Sequence, residues 1–167
     1  WGTFRTDKDG NIKIPTVPPR SELLLDVSAA GYYPARVIVP TFESNVYTPL
    51  YLIERDKIDA VTKYFTKHPQ SPLKGFVMGR VYNPETRVPK QDEELELSFR
   101  KGRALYIDAL PNLNLRATTE TGLFAFFNVE PSFRTVLRSG PKVGTLLNIL
   151  PDYGQYIEIG RGGKKAL

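Results

Sequence analysis

Thr118-Thr119-Glu120-Thr121-Gly122-Leu123-Phe124-Ala125-Phe126 decides how this chain is read. A polar run closes on a Thr-Gly step, and two phenylalanines follow at a spacing of two. Glycine supplies the positive φ of a tight turn, and a period of two sends alternate side chains to one face, so the stretch predicts a β-hairpin. Moving back by 112 residues places Thr6 on Thr118, Gly10 on Gly122, Val17 on Val129, Pro19 on Pro131 and Leu25 on Leu137 without a gap. Ile12 and Ile14 then fall on Phe124 and Phe126. The shared order of turn, alternating strand, proline and strand reads as an internal repeat. It predicts that Asp9-Gly10 and Thr121-Gly122 form the same hairpin, with Ile12, Ile14, Phe124 and Phe126 turned inward.

Outward from this pair, the composition supports the same class. The chain has 167 residues and 41% hydrophobic content, enough for a core. Its 14 Pro, 13 Gly, 9 Tyr and 9 Phe favour turns and pleated strands over helices. The net charge of +5 would suit nucleic acid, an acidic polysaccharide or an anionic surface. However, the basic residues are scattered, and the densest cluster, Arg161, Lys164 and Lys165, has no aromatics interleaved, so nucleic acid is not the expected partner. Cysteine is absent, which removes disulfides, thiolate metal sites and a cysteine nucleophile. No stretch approaches the roughly 20 apolar residues of a membrane span. Trp1-Gly2-Thr3-Phe4-Arg5 lacks the shape of a signal peptide, so an export signal of a secreted parent is expected outside this sequence.

Alternation predicts strands at 3–6 and 11–14 around Asp9-Gly10, at Leu23, Leu25 and Val27, at Val37 and Val39, and over 50–53. Ile58, Val61, Thr62 and Phe65 then fall at helical spacing, with Asp56 as cap and Pro69 and Pro72 ending the segment. This predicts a helix over 57–68 and an extended linker over 68–73. Eight further strands are predicted at 76–82, 95–99, 104–108, 115–118, 123–127, 133–137, 146–149 and 155–159.

Gly79-Arg80-Val81-Tyr82-Asn83, Val88-Pro89, Ala117 to Phe126 and Val129-Glu130-Pro131 resemble the carboxypeptidase-regulatory-like modules, transthyretin-like or prealbumin-like β-sandwiches related to collagen-adhesin B-type repeats. In the first half the resemblance rests on Thr6 to Ile14, Val17-Pro18-Pro19 and Ala30-Gly31-Tyr32. The chain departs from the pattern at Arg20 and Ser132, where glycine usually follows the proline, and the Gly-Tyr step is missing from the second half. The resemblance implies an all-β fold: an antiparallel Greek-key β-sandwich in tandem units with one short linker helix. The expected parts are 1–56, the C-terminal part of a first sandwich; 57–74, helix and linker; and 75–167, a second sandwich. The opening half of the second, 75–114, has no counterpart in the first, so the first is expected to be incomplete and to show an apolar face or free strand edge.

The resemblance implies no chemistry of its own. It implies a non-catalytic structural or presentation module of a cell-envelope, periplasmic or extracellular protein, partnered by neighbouring domains of the parent chain or by another protein. The alternative is a carbohydrate-binding accessory module of a secreted enzyme or uptake system, for which Tyr32, Tyr33, Tyr47 and Tyr51 are the candidate stacking residues. His68 before Pro69 reads as a solvated helix end and not as a triad member. Asp7, Asp9 and Asn11 have the spacing of half a calcium loop, but Pro18 stands where the bidentate glutamate belongs, so a bare turn is the reading and no metal or cofactor is expected. Asp92, Glu93, Glu94 and Glu96 read as a solvated loop. The strand 76–82 offers Arg80 and no lysine, so the Lys–Asn isopeptide bond that collagen-adhesin relatives can carry is not expected there.

Overall fold

The computed structural model describes residues 2–43, 47–98, 104–108, 112, 114–139 and 144–160. Trp1, the basic cluster Arg161, Lys164 and Lys165, and Phe99 at the end of one expected strand lie outside the described residues. Two units divide the chain: Trp1–Leu25 with Val37–Leu50, and Asp26–Arg36 with Tyr51–Leu167.

The fold is mostly β, and among the described residues it has one helix. Strands β1 (Glu22–Val27) and β3 (Ala35–Pro40) run from one unit into the other, with the short β2 (Tyr32–Tyr33) between them. The larger unit adds β4 (Ile53–Glu54), α1 (Arg55–Thr66), β5 (Gly75–Tyr82), β6 (Leu95–Leu97), β7 (Leu105–Ile107), β8 (Leu123–Val129), β9 (Ser132–Ser139), β10 (Gly144–Ile149) and β11 (Gly154–Gly160). The strand order is β1-β3-β11-β5-β8-β7 in one sheet, β10-β9-β6 in a second and β2-β4 in a third.

Alternation in β5 and β8 fixes which face is buried. Val77, Val81, Phe124 and Phe126 point from the first sheet, and Leu97, Leu137, Leu147 and Ile149 from the second, into one core where each is nearly sealed from solvent. Burying a side chain of this size stabilises by about 1.5–3 kcal/mol, so this shared core dominates the larger unit. On the opposite face of β5, Phe76 joins Tyr33 and Ile58 in a smaller cluster, with Ile53, Met78 and Phe127 packed against it.

The sheet is mixed, which corrects the expected antiparallel arrangement. β11 runs parallel to β5 in seven register pairs, from Gly154↔Phe76 to Gly160↔Tyr82, and parallel to β3 at Gly154↔Ala35. After β10, residues 150–153 carry the chain from the three-stranded to the six-stranded sheet. β11 is therefore no hairpin partner of β10 and enters beside β5 in the same direction. The ladder runs close: a Cβ on Gly79 would stand 2.1 Å from the Ile157 carbonyl oxygen, and one on Gly154 would meet the buried Phe76 ring at 2.3 Å.

Helix α1 follows the expected stripe. Ile58, Thr62 and Phe65 are buried, and Phe65 stacks on Phe127 at 6.5 Å. The N-cap is Glu54, without a side-chain cap bond, and not Asp56; Asp56 sits inside the first turn, where a carboxylate complements the helix dipole. Lys67 closes the helix in the left-handed region and donates its N–H to the Lys63 carbonyl. His68 lies exposed just past this cap, its N–H directed at Thr66 Oγ1.

The linker that follows is locked to the sheet. Gln70 is buried; its Nε2 donates to the Lys74 and Gly75 carbonyls at 3.2 and 3.1 Å, and its Oε1 accepts from Asn128 N–H at 3.0 Å. Asn128 answers through Oδ1, which accepts from Ser71 N–H at 2.7 Å, and through Nδ2, which donates to the Pro69 carbonyl at 3.3 Å. Lys74 pairs with Glu130 at 2.9 Å.

The first residues depart most from expectation. Asp9-Gly10 does turn: Gly10 has φ 79°, and the Asp7 carboxylate accepts from the N–H groups of Asp9 and Asn11 at 2.9 and 2.8 Å. No strand flanks this turn; residues 2–7 and 11–18 are irregular, and Ile12 is exposed rather than inward. Residues 115–118 are likewise a loop, because Thr118 spends its backbone on Asp92 and Glu93, and 50–53 forms a strand only from Ile53 onward. In the smaller unit Leu23 and Val39 are buried, whereas Leu24, Ile38, Phe42 and Tyr47 are exposed.

Candidate functional site

Two groups of side chains in the larger unit stand out. The first begins with register: Tyr33 opposite Ile53 and Tyr32 opposite Glu54 set Arg55 at the start of α1, where its N–H donates to the Gly31 carbonyl at 2.9 Å. Its guanidinium then grips Asp152 through two bonds of 2.8 and 2.7 Å and lies 4.3 Å from the centre of the Tyr33 ring. Tyr33 donates its hydroxyl to Asp59 Oδ1 at 2.8 Å and meets Phe76 edge to face at 4.9 Å. Burial, then the bond to Asp59, pushes the Tyr33 phenol well above its ordinary range, while the Arg55 bonds hold Asp152 below the usual carboxylate range. A second pair, Arg36 with Asp26 at 2.7 Å through two bonds, lowers the Asp26 carboxyl in the same way. Every member is engaged internally, so the group is a clamp between helix start and the 150–153 turn.

The second group is built on β5 and β11. Tyr51 lies against Tyr156 of β11, with ring centres 4.7 Å apart and planes tilted by 50°. Alternation puts Arg80 of β5 beside Glu158 of β11 on the same face. Arg87 bridges to Glu158 at 3.1 Å and lies 4.3 Å from the Tyr82 ring centre, while Arg80 Nη2 donates to the Arg87 carbonyl at 3.1 Å. The Arg80 Nε is buried with no hydrogen-bond partner among the described residues. Burial, then the Glu158 charge, raises the Tyr156 phenol. A shallow depression, open to solvent and with no enclosed space, lies among Tyr33, Tyr51, Ile53 and Tyr156. This face therefore offers an open surface rather than a closed cavity.

The four tyrosines singled out by the sequence thus separate. Tyr51 retains an exposed aromatic face; Tyr33 has its ring covered by Arg55 and Phe76; Tyr32, its neighbour, is half-buried; Tyr47 belongs to the smaller unit and is largely exposed. Tyr156, its partner in the pair, was missed because a tyrosine between glutamine and isoleucine in a strand carries no signal of what stands opposite. The acidic run is only partly solvated, contrary to expectation: Glu93 turns in, bridges Lys90 at 2.8 Å and accepts from Ser139 Oγ at 2.6 Å.

Among the described residues, no three His, Asp or Glu side chains converge as a metal site, and no helix is long and apolar enough to cross a membrane. No family model, no curated protein and no solved structure matches the chain.

Proposed function

We propose that this chain is a non-catalytic structural module, a Greek-key β-sandwich of the carboxypeptidase-regulatory-like kind in tandem units, which spaces and presents neighbouring domains of a cell-envelope or secreted protein. What supports this reading is the reciprocal lock of Gln70 and Asn128, because it turns the segment that would otherwise hinge into part of the sheet. A spacer that holds its neighbours at a set distance needs its own connector fixed, and an amide pair anchored by the buried Gln70 provides that. The test is the distance distribution between dyes on Lys57→Cys and Gly160→Cys. A narrow distribution, broadened by Gln70→Ala with Asn128→Ala, is the expected result; a broad one in the unmodified lock would end the reading.

A second reading, a carbohydrate-binding accessory module, has one observation in its favour: the Tyr51–Tyr156 pair beside Arg80 and Glu158, an aromatic face with polar groups at its rim. Glycan-array binding lost in Tyr51→Ala and Tyr156→Ala would support it, and an array without signal would dispose of it.

A further inference from the structure

We propose that β5 and β11 form a shear clamp, so that the larger unit bears tension along the chain as well as setting distance. The argument starts from direction. β5 opens the strands of the main core and β11 closes them, and the two are parallel neighbours over seven register pairs. In such a pair, the start of one strand and the end of the other lie at opposite ends of the ladder. Tension entering ahead of Gly75 and leaving after Gly160 therefore draws β5 toward its start and β11 toward its end. The strands are asked to slide lengthwise, and the whole ladder resists together. Had the closing strand been antiparallel to β5, the same tension would have peeled the ladder one pair at a time.

The side chains oppose sliding as well. Gly154 sits under the ring of Phe76, and Gly79 sits against the Ile157 carbonyl with the Phe124 ring 2.8 Å from where its Cβ would be. A shift by one residue would drive Cβ atoms into both places. Val77, Val81 and Ile159 are keyed into the core beside these glycines. β5 is flanked by β8 and β11 by β3 at Gly154, so neither is a bare edge along its whole length. Ahead of β5, the Gln70–Asn128 lock and the Lys74–Glu130 pair pass load from the linker to β8 and the residue just after it.

The chain has no cysteine, so two introduced thiols define the pulling axis. Leu73→Cys with Gly160→Cys loads β5 and β11 in shear; Leu73→Cys with Pro151→Cys peels the same ladder from its start. Both double variants are first matched to the parent in melting temperature. At one loading rate, the shear axis is expected to unfold at a force at least about twofold higher, since the bonds of the ladder are loaded together rather than in turn. Equal forces along the two axes would overturn the proposal. A narrow dye distance with equal forces would leave a spacer that carries no load, so the two readings fail separately.

Discussion

The turns at Asp9-Gly10 and Thr121-Gly122 are built alike and end differently. In both, glycine has positive φ, 79° and 66°, and donates its N–H to the carbonyl three residues back. In both, the side chain at that earlier position, Asp7 or Thr119, accepts from the N–H two residues on. After Gly122 the chain enters β8 between β5 and β7, and Phe124 and Phe126 are sealed; after Gly10 residues 11–18 join no strand among the described residues, and Ile12 is 38% exposed. A turn sets the direction of a chain, but a strand persists only where a neighbour takes its backbone bonds and a core takes its side chains. Local chemistry repeats across 112 residues, whereas the tertiary setting does not.

Paired substitutions probe that difference. Phe124→Ala is expected to cost about 3–5 kcal/mol in urea unfolding, and Ile12→Ala less than about 0.5 kcal/mol. Similar costs would mean that Ile12 is buried after all. Glycine replacement comes next. Gly122→Ala forces an L residue into the left-handed region, at about 1–2 kcal/mol, and also sets a Cβ 2.3 Å from the Val81 carbonyl oxygen. Gly10→Ala meets open space, so it should disturb the 7–11 turn, seen in amide chemical shifts, and leave the melting temperature of the larger unit unchanged.

The linker extends the contrast. Gln70→Ala strands buried partners on Asn128 and Gly75 and is expected to cost about 1–3 kcal/mol, with faster amide exchange at Ser71. Slow exchange retained at Ser71 would show that the lock does not hold the linker. The smallest effect is electrostatic. Because Arg55 holds the Asp152 carboxyl below its unfolded value, the clamp contributes stability above the ordinary carboxylate range near about 4 and loses it as pH falls through the lower folded value. Both partners are more than a third exposed, so the contribution is under about 1 kcal/mol. Asp152→Asn should flatten the acid limb of the stability curve by that small amount; an unchanged limb would assign the acid sensitivity elsewhere.

Much of the larger unit was legible from periodicity. β5 and β8 to β11 lie where alternation placed them, and α1 follows from Ile58, Val61, Thr62 and Phe65 with a shift of two residues. Where the reading failed, the deciding partner was distant in sequence. Nothing around Gly154 says that β11 joins β5 in parallel, and nothing in Pro69-Gln70-Ser71-Pro72 says that Asn128, 58 residues on, completes its bonds. Thr118 sits in a strand-like stretch but is claimed by Asp92 and Glu93 across a loop. Of the candidate sites, Tyr51 was identifiable as an aromatic, yet its pairing with Tyr156 and the covering of Tyr33 depend on strand register that one sequence does not reveal.

The close approach of β11 to β5 also constrains descent. Core positions such as Leu137 accept other apolar residues of similar volume, and surface positions accept nearly anything, so ancestry can fade from most of this sequence. Gly79 and Gly154 have no such latitude, since any Cβ meets a carbonyl oxygen or a buried ring. Gly122, under the Val81 carbonyl, is held in the same way. Three glycines spaced by 43 and then 32 residues should therefore outlast the residues around them and serve as a fingerprint for divergent kin. Relatives in which all three vary freely would mean that the two strands had found another way to lie together.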